Sequence, residues 1–291
     1  MKLPPFEYAS PATLAEAIAL LAAGGGTAKP LAGGQSLLPT MAFRLATPRL
    51  LVDLRKVPGL DKIAIDEKGV RLGAKVRWRD IEDDAKLRSA HPLLVAAIAH
   101  VAHYQIRNRG TVGGSLAHAD PAAEMPGIAV TCDAELALSG SSGSRVVRAA
   151  DFFRGALSTA LADDELIVEV RLPAWPAKRR WAFEEFARRR GDFALAGVAV
   201  FYDEDKSGRA SNAHIGVIGA CRRPHRLAQA EAALNSRVVD ESAIQAAARA
   251  ACAAVEPPED LHASAAYRRA LVGTLLERAL KACVGMDNEA K

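Results

Sequence analysis

The chain has 291 residues, of which 50% are hydrophobic and 25% charged, and its formal net charge is +4. This length suits two compact domains, and this composition excludes intrinsically disordered and collagen-like chains. No apolar run approaches the roughly 18 residues of a membrane span, and the start MKLPPFEYAS lacks the apolar segment of a signal peptide; we therefore expect a cytoplasmic protein without a membrane span.

The N-terminal part of the chain predicts alternating helices and strands. Ser10 and Pro11 have the residue types of a helix N-cap and a first helical position. They precede an apolar face at helical spacing, formed by Leu14, Ala17, Ile18 and Leu21. Glycines 24–26 should end this helix. Two strands should follow, one ending at Leu31 and the other spanning residues 49–54.

Residues 63–72 predict a β-hairpin, because apolar residues alternate on both sides of a turn at 66–69. Helical segments should follow at 79–88 and 93–101, separated by the dipeptide His91-Pro92. Further strand-like runs occupy residues 134–138, 146–147 and 165–172.

The segment Pro173-Ala174-Trp175-Pro176 predicts a domain boundary, because two prolines on either side of a tryptophan suit an extended connector. Beyond it, an antiparallel meander is predicted from three strand-like runs at 181–187, 194–202 and 213–218. Helices should then occupy residues 227–234, 243–255 and 265–283. The predicted fold class is α+β, with a larger N-terminal and a smaller C-terminal unit.

The cysteines and the basic residues give weaker indications of function. The four cysteines lie far apart and have no histidine at metal-ligand spacing, so we expect no metal or cluster site within this chain. Basic residues are crowded between 178 and 190, but aromatic residues make up only 5% of the chain and no nucleic-acid motif accompanies the cluster. We therefore expect a solvated or partner-facing basic patch and no nucleic-acid partner.

Two glycine-rich segments are the strongest candidates for a ligand site: AGGQS at 32–36 and TVGGS at 111–115. Paired glycines let the backbone approach a ligand and turn successive N–H groups into one concavity, which suits phosphate oxygens. Neither segment matches the Rossmann pattern G-x-G-x-x-G or the P-loop pattern G-x-x-x-x-G-K-[ST]. The alternative, that both are tight turns without a ligand, stays open on these residues alone.

Four stretches together carry a resemblance: AGGQSLLPTMAFR (32–44), IRNRGTVGGSLAHADPAAEMP (106–126), ADDELIVEVRLP (162–173) and RRRGDFALAGVAV (188–200). In this order they resemble the FAD-binding medium subunit of molybdenum hydroxylases, the family of xanthine dehydrogenase and the aerobic carbon monoxide dehydrogenases. The resemblance runs from Phe6 to about Cys283.

This resemblance implies a two-lobed FAD-binding domain of the vanillyl-alcohol oxidase (PCMH) type at 1–175, with lobes at about 1–57 and 58–175. A CO dehydrogenase flavoprotein-like C-terminal domain, an antiparallel sheet plus helices, should span 176–286. The family also implies two partners, a small subunit with two [2Fe–2S] clusters and a large molybdopterin subunit, assembled as a dimer of heterotrimers. Substrate is hydroxylated at molybdenum, and electrons reach an external acceptor through FAD.

The resemblance also implies roles for single residues. Both glycine segments should hold the FAD pyrophosphate, mainly through backbone N–H groups. Glu124 either contacts the adenosine part or is a helix-start carboxylate. Phe193 either stacks beside the isoalloxazine ring or is a core strand residue. The full set of expected cofactor-binding residues is Ala32, Gly33, Gly34, Gln35, Ser36, Leu37, Val101, Thr111, Val112, Gly113, Gly114, Ser115, His118, Glu124, Ile167 and Phe193.

Within this set, Val101 and Ile167 pack either on the cofactor or in the ordinary core, and His118 either touches the flavin or is structural. Gln35 stands in a loop where relatives of the wider fold attach flavin covalently through histidine, so non-covalent FAD is expected. Glu184 and Glu185 occupy a region where some relatives carry a lysine near the flavin. No residue of this chain is assigned a catalytic acid–base role.

Two other functions stay open at this point. A free-standing FAD oxidoreductase would bind its own substrate, but the chain shows no evident acid–base pair for that chemistry. A scaffold that has lost the cofactor would have no reason to keep both glycine pairs. The stretch 106–127 resembles enzymes acting on N-heteroaromatics such as quinoline, so that substrate class is the one we expect for the complex.

Overall fold

The computed structural model describes residues 2–285; Met1 and residue 286, at which the predicted domains begin and end, lie outside the described residues. The N-terminal lobe is built on a small parallel sheet in the order β1-β3-β2. Its elements are β1 (Glu7–Ala9), α1 (Leu14–Ala23), β2 (Ala28–Leu31), α2 (Leu37–Ala42) and β3 (Leu50–Asp53).

The first helix begins three residues later than Ser10 and Pro11 predicted. Its N-cap is Thr13, whose hydroxyl accepts a hydrogen bond from the Glu16 N–H at 3.2 Å. The acidic Glu16 closes the turn, since its carboxylate accepts the N–H of Ala12 at 2.8 Å. A threonine cap followed by a glutamate three residues on is a stronger helix start than a serine before proline.

The second lobe combines an antiparallel sheet, in the order β4-β5-β10-β6-β7, with a layer of short helices. Its first elements are β4 (Ile63–Asp66), β5 (Gly69–Gly73), α3 (Trp78–Asp83), α4 (Ala85–Ala90), α5 (Pro92–Ile98) and α6 (Tyr104–Arg107). They are followed by α7 (Val112–His118), α8 (Glu124–Thr131), β6 (Glu135–Gly140), β7 (Gly143–Arg148), α9 (Ala149–Phe152), β8 (Phe153–Gly155), β9 (Ser158–Thr159) and β10 (Leu166–Pro173).

The predicted helix at 79–88 is two helices, because Asp84 interrupts it. Asp84 is extended (φ −80°, ψ 101°), and its carboxylate accepts the N–H groups of Lys86 and Leu87 at 2.8 and 3.1 Å. It therefore caps α4 and ends α3, in keeping with the preference of aspartate for helix starts.

The C-terminal unit is the predicted antiparallel meander with helices on one face. Its sheet has the order β11-β12-β13-β14, with every neighbouring pair antiparallel. The elements are β11 (Arg180–Phe186), β12 (Ala196–Glu204), β13 (Ala210–Ile218), β14 (His225–Arg226), α10 (Ala228–Leu234), α11 (Glu241–Ala254) and α12 (Ala265–Gly285). No helix between residues 2 and 285 is long and apolar enough to cross a membrane.

Three hydrophobic clusters match these three parts of the chain. One lies within the N-terminal lobe and is completed by Leu166 of β10. The largest lies between the second-lobe sheet and its helices, and it takes in Ala199 and Phe201 from the C-terminal sheet. The third joins the opposite face of that sheet to α10, α11 and α12. Burial of these apolar surfaces is the main stabilising contribution.

Helix α8 of the second lobe packs directly on the C-terminal sheet through glycine contacts. A Cβ added to Gly127 would collide with Ile218 of β13, and one added to Gly216 would collide with the Thr131 hydroxyl. The imidazole of His214 completes the contact with a 2.7 Å hydrogen bond to the Thr131 carbonyl. Such close packing sets the position of the C-terminal sheet relative to α8.

A stack of rings and one guanidinium joins the connector to both units. The Arg179 guanidinium lies 4.9 Å from the Trp175 ring and 4.3 Å from the Phe201 ring, and it forms a bidentate ion pair with Asp203. Trp175 in turn packs on the fully buried ring of His91, at 4.5 Å between centroids. Cation–π contacts that exclude water stabilise such a stack.

Burial lowers the pKa of His91 to about 3, with the positive charge of Arg179 contributing. The folded state therefore holds His91 neutral, while the unfolded chain protonates it near pH 6.5. Protonation of His91 in the unfolded chain therefore lowers the free energy of unfolding. The loss is absent above pH 6.5 and grows by about 1.4 kcal/mol per pH unit below it, down to about pH 3.

We expect His91→Asn to remove this dependence, because asparagine can still accept the Leu94 N–H that the imidazole now accepts at 3.2 Å. Urea unfolding of the native protein and the variant at pH 7.5, 6.5 and 5.5 measures this pH dependence. The contributions of the other titrating groups cancel when the two free energies of unfolding are subtracted. The free-energy difference between the two proteins should be constant above pH 6.5 and shift against the native protein below it. Parallel curves over the whole range would contradict the assignment.

Candidate functional site

A cavity of about 650 Å³ opens where the two N-terminal lobes and the β11–β12 loop meet. Fifteen of the sixteen residues expected from the sequence line it. The exception is Val112, which lies fully buried beneath the cavity wall and packs in the main core. The structure thus brings together segments 32–37 and 111–118 with Glu124, Ile167 and Phe193, far apart in the sequence.

The first glycine segment forms a tight turn with free backbone donors. Gly34 has φ +74°, which glycine adopts without strain, and Gln35 Nε2 donates to the Gly33 carbonyl at 3.1 Å. Within residues 2–285, none of the backbone N–H groups from Gly33 to Leu37 donates to a protein acceptor. N–H groups without a protein acceptor are available to a ligand, and residues 33–37 line the cavity.

The second glycine segment is a helix and not a loop, which corrects our prediction of a second backbone concavity. Its N–H groups are already used: Val112 donates to Val76 O at 2.9 Å and Gly113 to Ala74 O at 2.8 Å. Gly114 donates to Thr111 Oγ1 at 3.2 Å and Ser115 to Thr111 O at 3.0 Å. What remains for a ligand is the Thr111 hydroxyl proton, the Ser115 side chain and the bare surface of Gly114.

The glycines of these two pairs have different structural roles. A Cβ on Gly33 would collide with the Arg109 carbonyl, and one on Gly113 would lie 2.6 Å from the Ala74 Cβ, so both permit close packing of the protein on itself. Gly114 is exposed, and its Cβ would meet the Thr111 hydroxyl alone, at 2.8 Å. Gly114 therefore leaves room in the cavity itself.

The C-terminal unit contributes Gly191, Asp192 and Phe193, from the loop between β11 and β12, to the cavity. Phe193 is 70% exposed, so it is not a core strand residue. The base of the loop is held by the buried guanidinium of Arg268, which donates to the carbonyls of Leu195 and Gly219 at 2.8 and 3.0 Å. The loop is thus anchored although its aromatic ring is free in solvent.

The apolar side of the cavity is shared with the main core. Val101 and Ile167 are 9% and 5% exposed, and both belong to that core while also lining the cavity. They are therefore core residues, and their packing on a cofactor stays a prediction. His118 lines the cavity and is half-buried, whereas His100 and His103 are exposed outside it.

Basic and acidic residues both line the cavity. Lys29 and Lys75 line it and were not expected from the sequence, since neither stands in a recognisable motif. Glu165 lines it as an ionised group, because its 2.6 Å ion pair with Arg145 lowers its pKa. Burial instead raises the pKa of Glu124 to about 7, with Asp120 adding to the effect.

Glu184 and Glu185 lie on β11 outside the cavity lining. Alternation along the strand turns Ala182 toward the C-terminal core and Phe183 toward the main core, so Glu184 and Glu185 point to opposite sides of the sheet.

Comparison with known proteins shows the family of this chain. The family model described as "FAD binding domain in molybdopterin dehydrogenase" matches residues 4–175, and "CO dehydrogenase flavoprotein C-terminal domain" matches residues 181–283. The nicotine 6-hydroxylase medium subunit of Paenarthrobacter nicotinovorans is 41% identical over 280 residues, covering 96% of this chain and 98% of that subunit.

Solved structures also match this chain over nearly its whole length. The carbon monoxide dehydrogenase of Hydrogenophaga pseudoflava that lacks the Mo-pyranopterin moiety matches with a TM-score of 0.95 at 40% identity, over 98% of this chain and 99% of that chain. Quinoline 2-oxidoreductase from Pseudomonas putida 86 matches with a TM-score of 0.92 at 41% identity, over 98% and 99%.

Fold and cavity together define an FAD-binding subunit of an oxidoreductase. The chain belongs to the family of FAD-binding medium subunits of molybdenum hydroxylases. The family resemblance drawn from the four sequence stretches is confirmed. Also confirmed is the α+β fold class, an FAD-binding domain followed by a smaller domain with an antiparallel sheet and helices.

Proposed function

We propose that this chain binds FAD non-covalently in the 650 Å³ cavity and passes electrons from the [2Fe–2S] clusters of a small partner subunit to an external acceptor. A large partner subunit would carry molybdopterin and hydroxylate the substrate. The observation that carries the proposal is the run of free N–H groups from Gly33 to Leu37 in the cavity wall. A dinucleotide offers the anionic pyrophosphate that such donors select.

Bound FAD supplies redox chemistry, and the chain supplies its position and surroundings. We assign the pyrophosphate to the 33–37 amides, with the hydroxyls of Ser36, Thr111 and Ser115 within the same wall. Lys29 and Lys75 add positive charge there. Val101 and Ile167 offer an apolar surface for a ring system, and the exposed Phe193 can cover a ring edge.

The domain limits follow the same proposal: an FAD-binding domain at 1–175, with lobes at 1–57 and 58–175, and a C-terminal domain at 176–286. The separate hydrophobic clusters of the two lobes and the C-terminal helices support these limits. A dimer of heterotrimers in the cytoplasm is the assembly we propose. The similarity to a nicotine hydroxylase and a quinoline oxidoreductase favours an N-heteroaromatic substrate for the complex.

A visible absorption spectrum of the desalted protein tests the cofactor assignment. We expect a flavin spectrum that moves entirely into the supernatant after acid precipitation, because Gln35 offers no covalent attachment. Flavin retained in the precipitate would contradict non-covalent binding. A colourless protein that also fails to take up added FAD would contradict the function itself and favour a scaffold.

Partner chains are tested by affinity purification of this chain from cells that produce it naturally. We expect an iron–sulfur protein and a molybdopterin protein to co-purify in equal amounts with this chain. Flavin-loaded protein that purifies alone and oxidises a substrate by itself would favour the free-standing oxidoreductase.

A further inference from the structure

The structure divides the basic run at 178–190 into two groups at opposite ends of β11. At the start of the strand, Arg179 and Arg180 form ion pairs with two carboxylates of β12. At its other end, the arginines at 188–190 lie in the β11–β12 loop, about 20 Å away along the strand. The first pair is therefore neutralised within the C-terminal sheet, and the second group needs another explanation.

Arg188, Arg189 and Arg190 are exposed at the edge of the cavity. Their guanidinium groups form no ion pair or hydrogen bond with any residue from 2 to 285. They directly precede residues 191–193, which line the cavity. Because consecutive Cα atoms are 3.8 Å apart, even the Cα of Arg188 lies within about 11 Å of the cavity lining.

Close packing holds this loop in place. A Cβ added to Gly191 would collide with the imidazole of His103 and lie 2.8 Å from the Ala102 carbonyl, so the loop packs directly on the connection between α5 and α6. The Asp192 N–H closes a turn by donating to the Arg189 carbonyl at 3.0 Å. The backbone that carries the three arginines is therefore fixed relative to the cavity.

Few carboxylates compensate the positive charge on this side of the cavity. Residues 99–118, several of which line the cavity, contain no aspartate or glutamate. Their Arg107 is held in an ion pair with a glutamate, whereas Arg109 is exposed and has no ion pair in the part of the chain that the structure describes. Asp192 is the single acid of the loop. We call Arg109 and the arginines at 188–190 the arginine rim.

We propose that the arginine rim is the docking surface for a small, negatively charged electron acceptor. The inference rests on the proposed function, in which the substrate reacts on another subunit and the acceptor is the reactant that must reach this cavity from solvent. Unpaired arginines attract an anion and raise its concentration at the cavity edge. Their planar guanidinium groups also match the oxygens of phosphate and carboxylate groups.

Hexacyanochromate(III), a paramagnetic trianion, tests docking without electron transfer. The full-length, nitrogen-15-labelled chain is titrated with this ion, with and without flavin, at about 0.1 M ionic strength, where the Debye length is about 10 Å. We expect selective broadening of the amide signals of residues 103–110 and 188–193. Raising the ionic strength to about 0.5 M should reverse the broadening, because salt screens exposed charges. Diamagnetic hexacyanocobaltate(III) is the control for effects of the anion other than broadening.

Reoxidation of the flavin measures the consequence for electron transfer. In the flavin-loaded chain reduced without oxygen, each of two ferricyanide ions takes one electron from the reduced flavin and becomes ferrocyanide, while the protons that the flavin releases go to water. The second-order rate constant with ferricyanide should fall as salt is added. The rate constant with neutral benzoquinone, which takes up two electrons and two protons, should depend little on salt.

A triple variant with Arg188→Gln, Arg189→Gln and Arg190→Gln removes most of the rim charge. The three side chains are exposed and unpaired, so folding and flavin content should stay unchanged. At about 0.1 M ionic strength we expect the rate constant with ferricyanide to fall about tenfold, the lower end of electrostatic steering effects. The rate constant with benzoquinone should stay unchanged. Arg109→Gln alone should lower the ferricyanide rate constant by a smaller factor.

A control variant with Lys68→Gln, Lys206→Gln and Arg249→Gln removes the same amount of charge elsewhere. These three residues are exposed, form no ion pair with residues 2–285 and do not line the cavity. Lys206, for example, follows the far end of β12, roughly 25 Å from the start of that strand. The control should keep the native rate constant with ferricyanide, because charges beyond the Debye length are largely screened.

Each failure has a distinct meaning. Native chain that takes up no FAD would overturn the proposed function. Flavin-loaded chain whose ferricyanide rate constant is the same in the rim and control variants would overturn this inference alone. Broadening by hexacyanochromate(III) that is spread over the whole surface would also overturn it. A rim variant that keeps the native ferricyanide rate constant but no longer co-purifies with the partner chains would assign the rim to an acidic protein surface instead.

Discussion

Gly34→Val is expected to give a folded protein that has lost FAD. Gly34 has φ +74°, and a β-branched residue there costs at least about 1–2 kcal/mol. The added Cβ would also lie 3.1 and 3.3 Å from the Leu38 and Leu31 side chains. The turn must therefore move, and with it the free N–H groups from Gly33 to Leu37. We expect FAD affinity to fall at least about tenfold, the equivalent of 1.4 kcal/mol.

Flavin content per chain and the Kd of flavin-free protein for FAD measure this effect. Gly208→Val is the matched control, since Gly208 has φ +71° in the β12–β13 turn and nothing within 4 Å of an added Cβ. It should suffer the same backbone strain and keep its flavin. Gly114→Val should also lose FAD, by filling the cavity wall, with the C-terminal unit still folded. Normal flavin in both Gly34→Val and Gly114→Val would refute the site.

Arg268→Met is expected to lower the free energy of unfolding by about 2–5 kcal/mol, because it leaves buried carbonyl groups without a donor. Arg268 is 4% exposed and ties Leu195 and Gly219 to Asp260, the last at 2.7 Å. These contacts also fix Leu195, which lies two residues after Phe193 and directly before β12. The loop at the cavity should therefore become mobile.

Urea unfolding measures the stability loss, and hydrogen exchange of the 188–195 amides measures the loop. Arg268→Lys should recover part of both, because lysine keeps the charge and one donor but not the planar fork. Arg269→Met, one residue along the same helix, is the control and should change neither. Unchanged exchange in Arg268→Met would show that the loop does not depend on this anchor.

Sequence patterns predicted the strands and helices well wherever local signals were strong. The glycines at 24–26, the turn at 66–69 and the meander after Trp175 are examples, since each depends on residues adjacent in the chain. The segment 111–115 lies at the start of α7, where the sequence predicted a second backbone concavity. Its helical state depends on Ala74 and Val76, whose carbonyls fix the first N–H groups of α7 across about 37 residues of chain.

The residues of the candidate site show the same distinction between local sequence signals and tertiary packing. The motifs pointed to the cavity residues correctly, because glycine pairs and family resemblance are properties of the sequence itself. Lys29 and Arg268 could not be found that way. Their roles depend on tertiary packing, because Lys29 lies in the cavity wall and Arg268 binds the carbonyls of Leu195 and Gly219.

The participation of Leu166 in the core of the N-terminal lobe has a consequence for biosynthesis. The other buried members of that core end at Leu60, so the ribosome makes about a hundred further residues before the core can close. At translation rates of about 5–20 residues per second, the unfinished lobe waits roughly 5–20 s. During that interval the core of the lobe lacks Leu166, one of its eight buried members. FAD can bind only after the lobe has closed, because residues 29–37 line the cavity together with Leu166.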